Sequence, residues 1–282
     1  MKILVTGGAG FIGTNLVKHL KFDGHSVVVL DDYSTGTKQN HIEGVKYIEG
    51  DIEMVEYLNT DFDLIYHLAA QSRVQPSFDD PTQTFRVNVK GTESVMEFAR
   101  AKNIKVVYAG SSSKHHDPTD SPYAQYKFLG EEVCKLYRKT YDVNVEICRF
   151  YNAYGPYEPL DLKTGNVIGI WRTQTMIQRP ITIVGDGEQK RDFIHVDDIV
   201  DGLVKVGLSD ESHEDAWELG LGKNYSINEL AGFFKEKHPN LQTVYLPDQK
   251  GNYRETLNEN TDAKDRLDWH PQDRLKDYIL SL

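Results

Sequence analysis

A doubly wound α/β fold, in which helices cover both faces of a parallel sheet, is predicted for this 282-residue chain by two observations. Apolar, β-branched runs recur at 3–5, 27–30, 45–48, 64–68, 106–109 and 145–150, with helical patterns between most of them. Such alternation belongs to strands buried on both sides. The first run, Ile3-Leu4-Val5, leads straight into Gly7, Gly10 and Gly13 and then a helical stretch over 14–20.

Strand, glycine turn and helix in that order form a cradle for a dinucleotide. Gly7 and Gly8 allow the tight turn, Gly10 removes the side chain where a pyrophosphate approaches the backbone, and Gly13 lets helix and strand pack closely. Free N–H groups at the helix start then face the phosphates. The second strand ends at Asp31 and Asp32, 18 and 19 positions after Gly13. A carboxylate there accepts hydrogen bonds from the adenosine ribose and repels a 2′-phosphate. No Lys or Arg follows until Lys38, so the expected cofactor is NAD rather than NADP.

A helix is expected over 85–101, with Val89, Val95, Met96 and Ala99 inward, and another over 123–141, with Leu129, Val133 and Leu136 inward. From Gly155-Pro156 the rhythm changes to loops, a helix over 167–178, a short strand over 181–184 and the turn Gly185-Asp186-Gly187. We expect residues 1–155 to form the NAD-binding domain. The stretch 186–207, with a strand and helix within 193–206, is expected to return to that domain. Residues 156–282 are expected to form mainly a smaller substrate-binding lid, with its clearest helix over 228–238. Ligands of open sheets bind at the carboxyl ends of the strands, which places the site at the seam between sheet and lid.

A net charge of −11 and a pI near 5.4 argue against nucleic-acid or anionic-membrane surfaces. Cys134 and Cys148 cannot form a disulfide scaffold, and glycines break the first apolar run, so neither signal peptide nor membrane span is expected and a reduced cytoplasm is the expected location.

Tyr123 and Lys127 stand four apart, which puts both on one helix face. A phenol titrates near 10 and must fall by roughly 3 units to act as a base near neutrality, which an ammonium and an oxidised nicotinamide together supply. Tyr123 is the one tyrosine of 16 with Lys four residues on, a match that chance alone provides. Its position gives it meaning, because it follows the fifth strand, 105–110, and the hydroxyls Ser111-Ser112-Ser113. A serine triplet by itself is simply a polar loop.

With these residues, the runs Thr6-Gly7-Gly8-Ala9-Gly10-Phe11-Ile12-Gly13, Gly50-Asp51-Ile52, His67-Leu68-Ala69-Ala70-Gln71, Asn88-Val89-Lys90-Gly91-Thr92, Arg149 to Pro156 and Arg191 to Asp198 make the chain resemble the extended short-chain dehydrogenase/reductases. Within them it is similar to the NAD-dependent sugar-nucleotide epimerases and dehydratases, with a Rossmann-type sheet. The resemblance implies Tyr123 as base, Lys127 on the nicotinamide ribose and Ser111 as the hydroxyl that polarises the sugar oxygen. It places Gly7, Gly10, Phe11, Ile12, Gly13, Asp31, Asp32, Ser34, Thr35, Gly36, Asp51, Ile52, Leu68, Ala69, Ala70 and Asn88 around the cofactor. Asn152, Asn166, Val167, Arg191 and Arg254 fall on the nucleotide-sugar side, the two arginines facing the diphosphate.

Two departures stand out. Ser111 and Tyr123 are only 12 apart, and Lys114-His115-His116-Asp117-Pro118 replaces a longer segment with a Val-Tyr-Gly turn. Adjacent histidines without further spaced ligands read as loop residues, so no metal is expected. Gln249-Lys250-Gly251-Asn252 stands where relatives often carry Arg-Pro-Gly-Asp. The implied activity is NAD-dependent epimerisation at C4 of a UDP-hexose through a 4-keto sugar, in a possible homodimer. Thr256, small where relatives restrict the sugar's 2-substituent, leaves room for an N-acetyl group. The rival is a 4,6-dehydratase, but related dehydratases carry Asp-Glu directly after the active-site hydroxyl, where Ser112 and Ser113 stand here. A non-catalytic dinucleotide sensor would have no need of Tyr123 and Lys127.

Overall fold

The computed structural model describes residues 1–282. Its first half runs through β1 (Lys2–Thr6), α1 (Phe11–Phe22), β2 (Ser26–Asp31), β3 (Lys46–Glu49), β4 (Leu64–His67), α2 (Val74–Asp79), α3 (Pro81–Phe85), α4 (Gly91–Lys102), β5 (Lys105–Ser111), α5 (Pro122–Tyr141) and β6 (Val145–Phe150). Then follow β7 (Asn152–Tyr154), α6 (Val167–Met176), β8 (Ile181–Val184), β9 (Lys190–His195), α7 (Val196–Leu208), β10 (Trp217–Leu219), β11 (Asn224–Ser226), α8 (Ile227–Lys237), β12 (Thr243–Leu246), α9 (Asp262–Leu267) and α10 (Leu275–Ser281).

Seven parallel strands form the main sheet in the order β10-β6-β5-β4-β1-β2-β3. The chain leaves β1 in one direction for β2 and β3, then returns to the other side for β4, β5 and β6. The crevice between β1 and β4 is therefore the topological switch point where ligands of such sheets bind. Alternate side chains supply the two faces: Ile3, Val5, Val27 and Val29 join a core under α1 and α7, and Leu4, Val28, Leu30 and Ile65 join one under α4 and α5. A third core, with Trp171, Phe193, Leu230 and Phe234, holds the smaller lobe together.

Several expectations change in detail. The return from the lobe has two parts, α7 and β10, whereas Lys190–His195 pairs with β7 and β11 in a separate three-stranded sheet. β10 has only three residues, one of them Glu218, too short and too polar for an apolar-run signal. The helix expected over 85–101 begins earlier, at Pro81 with Asp80 as its cap, and passes through a π turn, Arg86–Lys90, that carries Asn88. Leu136 is exposed rather than inward. The buried face of α5 is Ala124, Lys127, Gly130, Glu131, Cys134 and Tyr137.

That face carries charge into the core. Arg149 on β6 bonds Glu131 at 2.8 Å, Glu218 at 2.9 Å and Asp215 at 2.8 Å. Arg149, Glu131 and Glu218 are all almost fully buried. Lys135 also pairs with Asp215 at 2.6 Å, and His115 with Glu218 at 2.9 Å. Arg149→Leu leaves two buried carboxylates without their cation and is expected to destabilise the fold by about 3 kcal/mol or more in a denaturant titration. A loss below about 1 kcal/mol, the scale of an exposed ion pair, would contradict this.

Candidate active site

The glycine turn has the shape of a phosphate cradle. Gly7 has φ of +71°, and a Cβ on it would lie 2.7 Å from the Ala69 nitrogen. A Cβ on Gly13 would meet the Gly7 carbonyl oxygen at 2.1 Å. Gly10 borders open space beyond that same oxygen, and the first turn of α1 has neither a side-chain cap nor an acidic residue, so its N–H groups, including those of half-buried Phe11 and Ile12, are free for an anion. The Thr6 hydroxyl bonds His67 at 2.8 Å and accepts from the Ala69 N–H at 3.3 Å, joining the turn to the Leu68-Ala69-Ala70 segment. Asn88 spends its amide on Gln71, accepting from its N–H at 2.8 Å and donating to its carbonyl at 3.0 Å, and so fixes that segment from behind.

Asp31 is buried and accepts from the Ala9 and Tyr33 N–H groups, both at 2.8 Å. Burial raises its pKa against those two hydrogen bonds. Asp32 accepts from the Ser34 N–H at 2.9 Å in the exposed loop that continues through Thr35 to Gly36. Lys38, the cation nearest this loop in sequence, pairs with Glu49 at 2.6 Å. Asp51 pairs with Arg86 and caps the turn that begins at buried Ile52.

At the other end of the crevice the Tyr123 hydroxyl donates to Ser111 Oγ at 3.1 Å, and Ser113 Oγ donates to the same oxygen at 2.9 Å. Lys127 is buried on the same face of α5, bonded to the Ala109 carbonyl and 4.6 Å from the Tyr108 ring centre. Burial pulls its pKa down to about 8. Tyr123 is raised by burial, while the Ser111 hydrogen bond and the charge of Arg73 work the other way. The protein alone thus leaves the phenol protonated, and a further positive charge is needed to make it a base.

The residues expected on the nucleotide-sugar side divide. Arg191 has one terminal nitrogen on Asn252 at 2.6 Å, the other on the Lys190 carbonyl at 2.8 Å and no carboxylate partner, its pKa drawn down to about 10 by burial. Asn152 donates to the Asp192 carbonyl at 3.1 Å and to Thr256 Oγ1 at 3.0 Å, so its amide nitrogen is engaged, and Thr256 is itself buried. Asn166 caps α6 through Gly169 at 2.7 Å and bonds the Ala153 carbonyl and Glu158, and Val167 beside it packs half-buried against the third core. Arg254 is not brought in: it is exposed and pairs with Asp186 at 2.9 Å.

In the shortened loop, Lys114 pairs with Glu132, His115 bonds Glu218 at 2.9 Å, and Asp117 caps the Thr119 turn. His116 instead stacks on Tyr253, with ring centres 3.8 Å apart. Tyr253 was not visible as a site residue, since its segment departs from the family pattern. Its hydroxyl is buried beside Ser121 without a hydrogen bond of ordinary geometry, and burial pushes its pKa up to about 12. Arg73 was missed too. A lone Arg after a strand carries no signal in sequence, yet its charge reaches both Tyr123 and Glu158.

The model of the NAD-dependent epimerase/dehydratase family matches residues 3–220. A UDP-glucose 4-epimerase of Mycolicibacterium smegmatis is 34% identical, over 99% of this chain and 96% of that protein. UDP-glucuronic acid decarboxylase 1 of Arabidopsis thaliana is 30% identical, over 98% of this chain and 68% of its own length. Among solved structures, a UDP-glucose 4-epimerase of Thermotoga maritima with UDP-glucose superposes with a TM-score of 0.92 at 27% identity, covering 99% of this chain and 96% of that one.

Asp31 and the engagement of Lys38 by Glu49 lead to an expected preference of at least ~10-fold for NAD over NADP in titrations of cofactor-stripped protein. Equal affinities would show that another cation receives the 2′-phosphate.

Proposed function

Since this chain belongs to the NAD-dependent epimerase/dehydratase family, we propose that it inverts C4 of a UDP-activated hexose. The observation that carries this reading is the Tyr123–Ser111 contact of 3.1 Å, with Lys127 beside it and no carboxylate at positions 112 and 113. Bound NAD supplies the hydride acceptor and donor. Ser111 Oγ holds the sugar's O4, and Tyr123 takes the O4 proton as the 4-keto sugar forms and gives it back when C4 is reduced from the other face. Lys127 releases the Ala109 carbonyl or shares it with the cofactor ribose, and its charge favours the phenolate. Arg191 anchors the diphosphate while the sugar turns.

The named activity of the 34% identical relative favours this reading over the family's other reactions. A 4,6-elimination requires one group to remove the C5 proton and another to protonate the departing C6 oxygen. A serine hydroxyl does neither near neutrality without an activating partner. Lys114, His115 and Asp117, the titratable neighbours in sequence, are each engaged elsewhere, which weighs against the dehydratase.

Turnover of the accepted nucleotide sugar in deuterated water, followed by NMR, is expected to leave C5 unlabelled and C6 oxygenated. Deuterium at C5 together with a new C6 methyl group would replace the epimerase with a dehydratase.

A further inference from the structure

Arg73 precedes α2 in extended backbone, with φ of −126° and ψ of 136°. Its Nε–H donates to the Thr164 carbonyl at 2.6 Å, tying the side chain to the smaller lobe. The two terminal nitrogens make no hydrogen bond to the protein, and no carboxylate oxygen lies within 4.0 Å of them. Glu158, the carboxylate that feels this charge, already holds Arg172 at 2.7 Å, Tyr278 at 3.0 Å and Asn166 at 3.2 Å. Burial lowers the pKa of Arg73, as it does that of Arg191. Both arginines are half-buried, and a guanidinium there without a counter-ion is stabilised by an anion that reaches it.

The protein thus holds two such cations, of which Arg191 is the one proposed above to anchor the diphosphate. Arg191 emerges from β9 beside Asn252 and Tyr253, and Arg73 lies close enough to Tyr123 for its charge to favour the phenolate. The group acted on by Tyr123 is O4, and the next ring carbon, C5, bears the sugar's exocyclic carbon. A cation near the base is therefore near that carbon, whose oxidised form is a carboxylate. With Nε committed to Thr164, the two terminal N–H groups remain for a two-pronged contact with such a group.

We infer that Arg73 receives a carboxylate at C6 of the sugar, so that the preferred substrate is a nucleotide-activated uronic acid rather than a neutral hexose. The inference rests on the nucleotide-sugar reading above and narrows its substrate class.

Calorimetry on the NAD-loaded Tyr123→Phe protein, which leaves ligands unconverted, tests it with UDP, UDP-glucose and UDP-glucuronate. UDP-glucuronate is expected to bind at least ~10-fold more tightly than UDP-glucose. Adding Arg73→Leu is expected to erase that ratio with UDP affinity unchanged, and Arg73→Lys to retain part of it, with NAD content and melting temperature reporting intact folding. If Arg73→Leu does not fold, the ratio in the parent and in Arg73→Lys decides. Equal affinities for the two sugars, or loss of UDP affinity in the Arg73 variants, would overturn the assignment. Failure of UDP and both sugars to bind would overturn the nucleotide-sugar reading and this inference with it.

Discussion

The approach of α5 to β5 governs the chemistry of this protein, because the helix lies against the strand through glycine and buried charge rather than through apolar side chains alone. A Cβ on Gly130 would meet the Tyr108 hydroxyl at 2.3 Å, and one on Gly110 would meet Glu131 at 2.8 Å. In that narrow seam Lys127 reaches the Ala109 carbonyl and Glu131 reaches Arg149. Tyr123, one turn nearer the helix start, is then delivered to Ser111 at the strand's end. The Tyr123–Ser111 spacing follows from this packing, and the Ser111 oxygen also accepts from the Ser113 N–H and hydroxyl in the turn after β5.

The same packing sets the electrostatics. Beneath the site the buried carboxylates Glu131 and Glu218 both pair with Arg149. Above it, Arg73 and Arg191 have no carboxylate partner, although the chain as a whole carries −11. An acidic exterior with unneutralised guanidiniums at the crevice suits an anionic ligand that enters the site but finds no attraction elsewhere on the surface.

Much of this was legible in the sequence. The glycine turn, Asp31, and the order of strand, serines, Tyr123 and Lys127 report local geometry that backbone sterics and helical periodicity dictate, and the structure puts Tyr123 on Ser111, with Lys127 one turn on along α5 and bonded to the Ala109 carbonyl. The phase of α5 was misread because its inward face holds Lys127 and Glu131, so the apolar pattern pointed to Leu136 instead. Arg254 was assigned from its neighbours in sequence, but Asp186 competes for it across the fold. Arg73 and Tyr253 join the site through tertiary contacts between the two lobes, which no local pattern encodes.

The Tyr123 oxygen, held against Ser111 by the α5–β5 seam, is the group we propose to carry the proton in the reaction. Turnover of Tyr123→Phe, measured by NMR on protein whose bound NAD is quantified after denaturation, tests it most directly. A fall of ~100-fold or more, the usual weight of a general base, is expected, with NAD content and melting temperature close to those of the parent protein. Turnover within a few-fold of the parent, at equal NAD content, would contradict it.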